Sequence, residues 1–423
     1  MPQNHDYLIK LIYFTIFSFF FPIYIQLFGS DSFTTGTAFV FILFFILAFK
    51  CILQKIQIKY FLFAFLLITI SLISALSVDH SFLWNSLRSY VQFVSSILIF
   101  VIVFNVYSNK FLENLFTDVE NIVFFLVLMV AVQILIGVIV QYIPDFGKHL
   151  TIFLTRNQSV LAPEFDGERL RMQTLIVGGE AVGECIAIFF PFVLYFLFYK
   201  NNFINYILLI IFLIGSLFAI TRSSIILMLL SSIFFYVRIV FEVQFLSTIK
   251  GMFIALFLLF GVTYFFDTFL NELISRFSSS LSDYSRTGSV ISAINREGVW
   301  FYIDKIVWPK LSFFGNGLVT ISGNKMFHIH SLYVTILHQF GIVGFCIFMY
   351  FFISLLFKIL LSYFSCSDRQ VKTFLYSCFL SYSCFLINEI KFEFNRYDSY
   401  QKIIWTMFAV FALTSKFIKY KKC

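Results

Sequence analysis

The sequence predicts an all-α polytopic membrane protein with about twelve transmembrane helices. Three observations carry this. Hydrophobic residues make up 60% of the 423 and charged ones only 12%, about half the charge of an ordinary soluble domain. Apolar runs near 20 residues long recur along the chain, the length that crosses a hydrocarbon core of about 30 Å. Within those runs nothing alternates as a barrel strand would, and open backbone cannot face lipid, so the spans are helices.

The predicted spans, in order, are 8–28, 33–49, 60–77, 89–107, 121–143, 176–199, 203–220, 225–241, 251–267, 341–361, 373–388 and 401–417. The first has only Lys10 near its start and no small-residue cleavage site behind it. It reads as a retained span and not as a signal peptide. Lys50, Lys55 and Lys59 follow the second span, and Arg238 and Lys250 flank the eighth and ninth. Lys358, Arg369 and Lys372 surround the loop after the tenth, and Lys416, Lys419, Lys421 and Lys422 close the chain. All of these fall on one side if both termini are cytoplasmic, as the positive-inside rule requires. The opposite first loop, GSDSFTTG, has no basic residue. The net charge of +8 therefore has a membrane explanation and does not call for nucleic acid.

This topology divides the chain into five parts. Helices one to five occupy 1–143, an outer loop 144–175, and helices six to nine 176–267. A large outer loop runs over 268–340, and helices ten to twelve with a cytoplasmic tail occupy 341–423. Within the large loop, NELISRFSSSL and SVISAINREGVWFYIDKIV have helical spacing. Ile291, Ile294, Val299, Tyr302 and Ile306 would line one apolar face and Pro309 would end the run. These helices are expected to lie against the outer mouth of the bundle. None of the seven cysteines falls in either large outer segment, so no disulfide framework is implied.

The two basic residue types separate by side. Nine of eleven arginines are outer under this topology: Arg88, Arg156, Arg169, Arg171, Arg222, Arg276, Arg286, Arg296 and Arg396. Thirteen of nineteen lysines are inner. Positive-inside forces push both types the same way, so a separate reason is needed for the arginines. Guanidinium is permanently charged and presents a planar fork that matches phosphate oxygens in pairs. Several converging at one membrane surface suit a lipid-linked phosphate or pyrophosphate. The alternative is that they are loop-surface or headgroup contacts. Arg222 stands alone in FLIGSLFAITRSSIILMLL, between two apolar runs. It either snorkels to headgroups or binds an anion.

Three of the six histidines, His328, His330 and His338, crowd into MFHIHSLYVTILHQFGIVGF. The stretch around them runs from a Gly-x-Gly turn at Gly315 and Gly317 to a Gly-x-x-Gly at Gly341 and Gly344. His328 and His330 form His-x-His, which can begin a metal site, but no further ligand stands at a compelling spacing.

With Arg296, Trp300, Gly315, Gly317, His330, Tyr333, Gly341 and Gly344 in that order, the chain resembles the O-antigen ligase and O-antigen polymerase family of bacterial envelope enzymes. ITRSSIIL is similar to the family's Ser-Arg-Ser segment, with Thr221 for the first serine. RLRMQTLIVGGEAVGECIAIFFP is similar to its arginine-then-glycine approach to a span. The resemblance covers roughly residues 165–360. Two departures stand out: Ser331 follows His330 where the family has Asn, and Glu180 and Glu184 occupy positions where relatives often have Asn. The two acids fit a helix's first turn, where the dipole favours them, or they bear on acceptor choice.

The resemblance implies a GT-C-like fold in the bacterial inner membrane. The implied activity is transfer of a glycan from an undecaprenyl-pyrophosphate carrier to a sugar hydroxyl on the periplasmic face, without a cofactor. The acceptor is another carrier-linked repeat unit in a polymerase and the lipid A core in a ligase. Expected partners are the lipid-linked oligosaccharide, membrane lipids and a chain-length regulator. His330 is then the base or acceptor orienter. Arg222, Arg171 and Arg296 grip the pyrophosphate, with Arg88, Arg169 and Arg286 as second-rank candidates. A transporter or flippase is the competing class. It would place ionisable residues at mid-membrane, whereas these spans are nearly uncharged.

Overall fold

The computed structural model describes residues 3–28, 31–49, 58–108, 112–143, 145–146, 149–150, 164–166, 169–172, 174–176, 179–200, 202–219, 221–242, 307–322, 325–327, 331–390 and 397–421. The expected span 251–267, the expected outer helices between 271 and 306, and the residues Arg156, Arg276, Arg286, Arg296, Trp300, His328, His330 and Arg396 lie outside them. The chain forms two compact units, Met1–Leu229 with Leu311–Cys423, and Leu230–Lys310. In the second, the described residues are 230–242 and a turn in which Lys310 N–H donates to the Val307 carbonyl at 3.3 Å.

Eleven α-helices are found among the described residues. They are α1 (Gln3–Phe20), α2 (Thr35–Phe49), α3 (Ile58–Leu76), α4 (Leu83–Ser108), α5 (Leu112–Tyr142) and α6 (Gly179–Lys200). The rest are α7 (Phe203–Ala219), α8 (Arg222–Glu242), α9 (Leu332–Ser365), α10 (Arg369–Asn388) and α11 (Asp398–Leu413). Each overlaps one of the apolar runs. Three two-stranded antiparallel hairpins join them: β1 (Tyr24–Phe28) with β2 (Asp31–Thr34), β3 (Glu164–Asp166) with β4 (Arg169–Arg171), and β5 (Thr320–Ser322) with β6 (Lys325–Phe327).

Four segments are long and apolar enough to cross a bilayer by length and composition: His80–Ser108, Leu115–Tyr142, Val182–Lys200 and Leu332–Ser365. They mark the chain as an integral membrane protein. The first expected span is corrected at its end. The helix stops at Phe20, and Pro22 disfavours helical backbone at the residue before it, so Tyr24–Phe28 pairs instead with Asp31–Thr34.

Helix α11 lies at the centre of the first unit: every residue from Ser399 to Leu413 is buried, and α4, α9 and α1 pack around it. Trp405 stacks on Phe351 at 5.8 Å and meets Phe93, Phe100 and Phe408 edge-on. Phe351 in turn stacks on Phe63 at 4.2 Å. Such aromatic contacts add about 0.5–1.5 kcal/mol per pair beyond area burial. With no hydrophobic drive between helices in lipid, that packing is what holds them together. The outward faces are apolar too. On α9, Ile342, Tyr350, Ile353, Phe357, Leu361 and Phe364 form an exposed stripe.

The contacts sort the helix ends into two groups. At one end, Ser74 at the finish of α3 meets Gln339 of α9, Tyr333 of α9 meets Leu386 of α10, and Thr34 meets Asp398 of α11. At the opposite end, Tyr60 of α3 meets Lys358 of α9, and Tyr199 of α6 meets Arg369 of α10. Helix α9 therefore runs antiparallel to α3 and α10.

Candidate functional site

Helix α9 is interrupted. Gly341 has φ 69° and ψ −171°, so the helix stops after Phe340 and restarts at Ile342. A helix break frees N–H groups on one side and carbonyls on the other, and each needs a partner when buried. The segment Ser312–Leu318 supplies them. Ile342 N–H donates to the Ser312 carbonyl and Val343 N–H to the Phe313 carbonyl, both at 3.1 Å. On the other side, the His338 carbonyl accepts from Asn316 backbone N–H at 3.1 Å and from its Nδ2 at 3.2 Å. The Ser74 hydroxyl donates to the Gln339 carbonyl.

The same segment is tied to two further helices. Gly317 N–H donates to Ser74 Oγ and Leu318 N–H to Ser86 Oγ, each at 3.1 Å, and Gln339 Nε2 donates to the Leu318 carbonyl at 3.3 Å. Gly315 and Gly317 have φ of 95° and 105°, a region that side chains rarely tolerate. Space forbids them as well. A Cβ on Gly315 would stand 1.9 Å from the Gln339 carbonyl oxygen, and one on Gly341 would stand 2.5 Å from Gly315 N. The Gly-x-Gly turn and the first glycine of the Gly-x-x-Gly pair are therefore two halves of one interlock. His338 is packed inside it, buried, with Nδ1 3.5 Å from Asn316 Nδ2.

Two buried polar groupings share this end of the bundle. Lys402, fully buried in α11, pairs with Asp398 one turn earlier. The other carboxylate oxygen accepts from Thr34 Oγ1 at 2.5 Å and Thr37 Oγ1 at 3.3 Å. Tyr24, in the first hairpin, is half-buried beside them. Burial raises its phenol above the ordinary value, Asp398 raises it further and Arg88 pulls it back, so Arg88 and Asp398 act on one spot. In the second grouping, Glu184 of α6 and Glu389 after α10 are both buried, and both carboxylates act electrostatically on the buried phenol of Tyr400. Asn388 lies beside Glu389, buried, and its side-chain amide has no hydrogen-bond partner among the described residues. Leu332 N–H, two positions after His330, donates to the Glu389 carbonyl at 2.9 Å.

The expected site residues distribute as follows. Arg88 lies in α4, partly buried. Arg169 and Arg171 are the ends of β4, paired with Asp166 and Glu164 across the hairpin, and Arg222 is the first residue of α8. The backbones beside Arg171 and Arg222 meet a common end. Met172 N–H donates to the Phe218 carbonyl at 3.4 Å, while Thr221 and Ser224 pack so closely on Gly183 of α6 that a Cβ there would overlap Thr221 Oγ1. His330, Arg286 and Arg296 are outside the described residues. Glu180 is in the first turn of α6, as its helix-start reading requires. Glu184 is the sixth residue of that helix, and its burial toward Tyr400 replaces that reading.

Sequence reasoning passed over Ser74, Ser86 and Asn316, the Asp398–Lys402 pair, and Glu389 with Tyr400. Only the ion pair left a visible signal: acid and base four apart at the head of an apolar run. The serines look like any small polar residue at a helix end. Compared with known proteins, the chain matches no family model, and no curated protein matches it by sequence.

Proposed function

We propose that this chain is a membrane glycosyltransferase of GT-C type, an O-antigen or related surface-polysaccharide polymerase with twelve spans in the bacterial inner membrane and both termini cytoplasmic. It takes a glycan from undecaprenyl pyrophosphate and adds it to a hydroxyl of another lipid-linked repeat unit. The observation that carries the reading is the interlock. The glycine motifs that the sequence shares with this family, 24 residues apart between Gly317 and Gly341, meet in space at the end of the bundle that also holds the backbones of Arg171 and Arg222.

In this reading the acceptor oxygen attacks the anomeric carbon as the carbon–oxygen bond to the pyrophosphate breaks. The bonding pair leaves with the pyrophosphate, and the hydroxyl proton passes to His330. An imidazole of reference pKa about 6.5 is suited to that task near neutrality. Arg222, Arg171 and Arg296 meet the negative charge growing on the leaving group, supported by Arg88, Arg169 and Arg286. Their interaction strengthens as that charge develops, which is the condition for lowering the barrier.

The test is a deletion strain complemented with wild type, Arg222→Lys or His330→Ala and examined on a lipopolysaccharide gel. Polymerase loss leaves core capped with one repeat, and both variants are expected to behave as the deletion at normal protein level. Bare core with carrier-linked polymer accumulating would identify a ligase instead. Normal chain length from both variants would overturn the assignment.

A further inference from the structure

The interlock fixes more than the helix break. Around its two anchoring carbonyls, just before Gly315, the chain turns three apolar side chains outward. Phe313 is 68% exposed, Phe314 47% and Leu311 37%. Their exposure is not a matter of a loose loop. The Ser312 and Phe313 carbonyls are bonded to Ile342 and Val343, and Ser312 Oγ accepts from Gly315 N–H at 2.8 Å. The rings stand out because the backbone holds them there. In water such an arrangement is unfavourable, and an exposed apolar patch of this kind marks a surface that something covers.

What covers it follows from the adjoining helix. The exposed stripe on α9 begins at Ile342, hydrogen-bonded to the same segment, and continues through Cys346, Tyr350, Ile353, Phe357, Leu361 and Phe364. Its spacing of three and four keeps it on one helix face. From Ile342 to Phe364 it measures about 33 Å at 1.5 Å per residue, against a hydrocarbon thickness of about 30 Å. A stripe of that length is one bilayer crossing, and the Leu311–Phe314 segment sits at its edge. We infer that Leu311, Phe313 and Phe314 dip into the headgroup–acyl boundary of the membrane, so that bilayer lipid anchors the segment that closes the helix break. Aromatic side chains at that depth are characteristic of membrane-protein boundaries. The inference is independent of any catalytic role: a transporter with this fold would have the same anchor.

The experiment places trifluoromethyl-phenylalanine at position 313 of the full chain in nanodiscs of phosphatidylethanolamine and phosphatidylglycerol. Fluorine linewidths are read with a lipid carrying a nitroxide near its carbonyl, and separately with a water-soluble gadolinium chelate. The same probe at Phe357 gives the lipid reference and at Asn202 the aqueous one. Broadening at 313 by the lipid nitroxide, severalfold greater than by the chelate, is the expected result. Broadening by the chelate as at position 202 would overturn it. Protection from both agents would also overturn it, since protein and not lipid would then cover the ring. If the labelled position 313 protein fails to accumulate, position 314 carries the same test.

Discussion

The two ends of the helix bundle are fastened by different means. At the end holding Gly341, the buried Asp398–Lys402 pair is joined by a set of bonds between side chains and backbone. Asn316, Ser74 and Ser86 bond main-chain groups freed by a helix break and a tight turn, and three glycines hold positive φ. At the opposite end the fastening is mostly side chain to side chain. Tyr195 and Lys200 meet Glu120 at 2.8 and 3.0 Å, Lys358 lies over the Tyr60 ring at 4.2 Å, and Phe116, Phe374 and Phe417 meet edge to face in one cluster. Side-chain contacts tolerate rearrangement; backbone in a conformation that only glycine enters does not. The first end is thus built to hold a shape, which is what a site for positioned charges needs, and the second is built to hold helices together.

This contrast is open to direct attack, beginning where the largest effect is expected. Gly315→Ala should abolish folded yield in detergent. Strain at positive φ costs about 1–3 kcal/mol, and the 1.9 Å approach to the Gln339 carbonyl adds a clash that backbone must relieve. Next comes Asp398→Ala, which strands the buried Lys402 ammonium and should cost about 3–5 kcal/mol in thermal unfolding. Pairing Asp398→Leu with Lys402→Met should recover most of that loss, because the charge is removed together with its partner. Ser74→Ala leaves Gly317 N–H without its hydroxyl acceptor and should cost about 1–3 kcal/mol. At the opposite end, Tyr199→Phe removes an exposed bond to the Arg369 carbonyl, and the same assay should register only about 0.5 kcal/mol. Equal losses for Ser74→Ala and Tyr199→Phe would erase the distinction between the ends.

Apolar run length made most helices legible before any coordinates. Eleven runs are helical because a bilayer-length stretch of Phe, Ile and Leu satisfies its backbone only internally. The boundaries that differ from run length have local causes. Pro22 lies within a run that hydropathy alone continues to Phe28, and Gly341 stands where hydropathy alone begins a span. No composition signal distinguishes a glycine that begins a helix from one that breaks it. The site was legible as residue types and not as geometry. Gly315, Gly317, Gly341 and Gly344 were visible as a pattern, yet the mutual contact of Gly315 and Gly341 depends on Asn316 and Ser74, whose roles exist only after folding. Asp398 and Lys402 lay four apart in plain view. Hydropathy averages a single ion pair away.

The central claim is that the end carrying the glycine interlock and Arg222 faces the outside of the cell membrane. Single cysteines replacing His80, Thr221 and Asn202 test it with a membrane-impermeant maleimide, since positions 80 and 221 lie at the interlock end and position 202 at the other. Labelling of positions 80 and 221 in intact cells, with position 202 labelled only after permeabilisation, is the predicted result. The reverse pattern would place the arginines against the cytosol and would contradict the account.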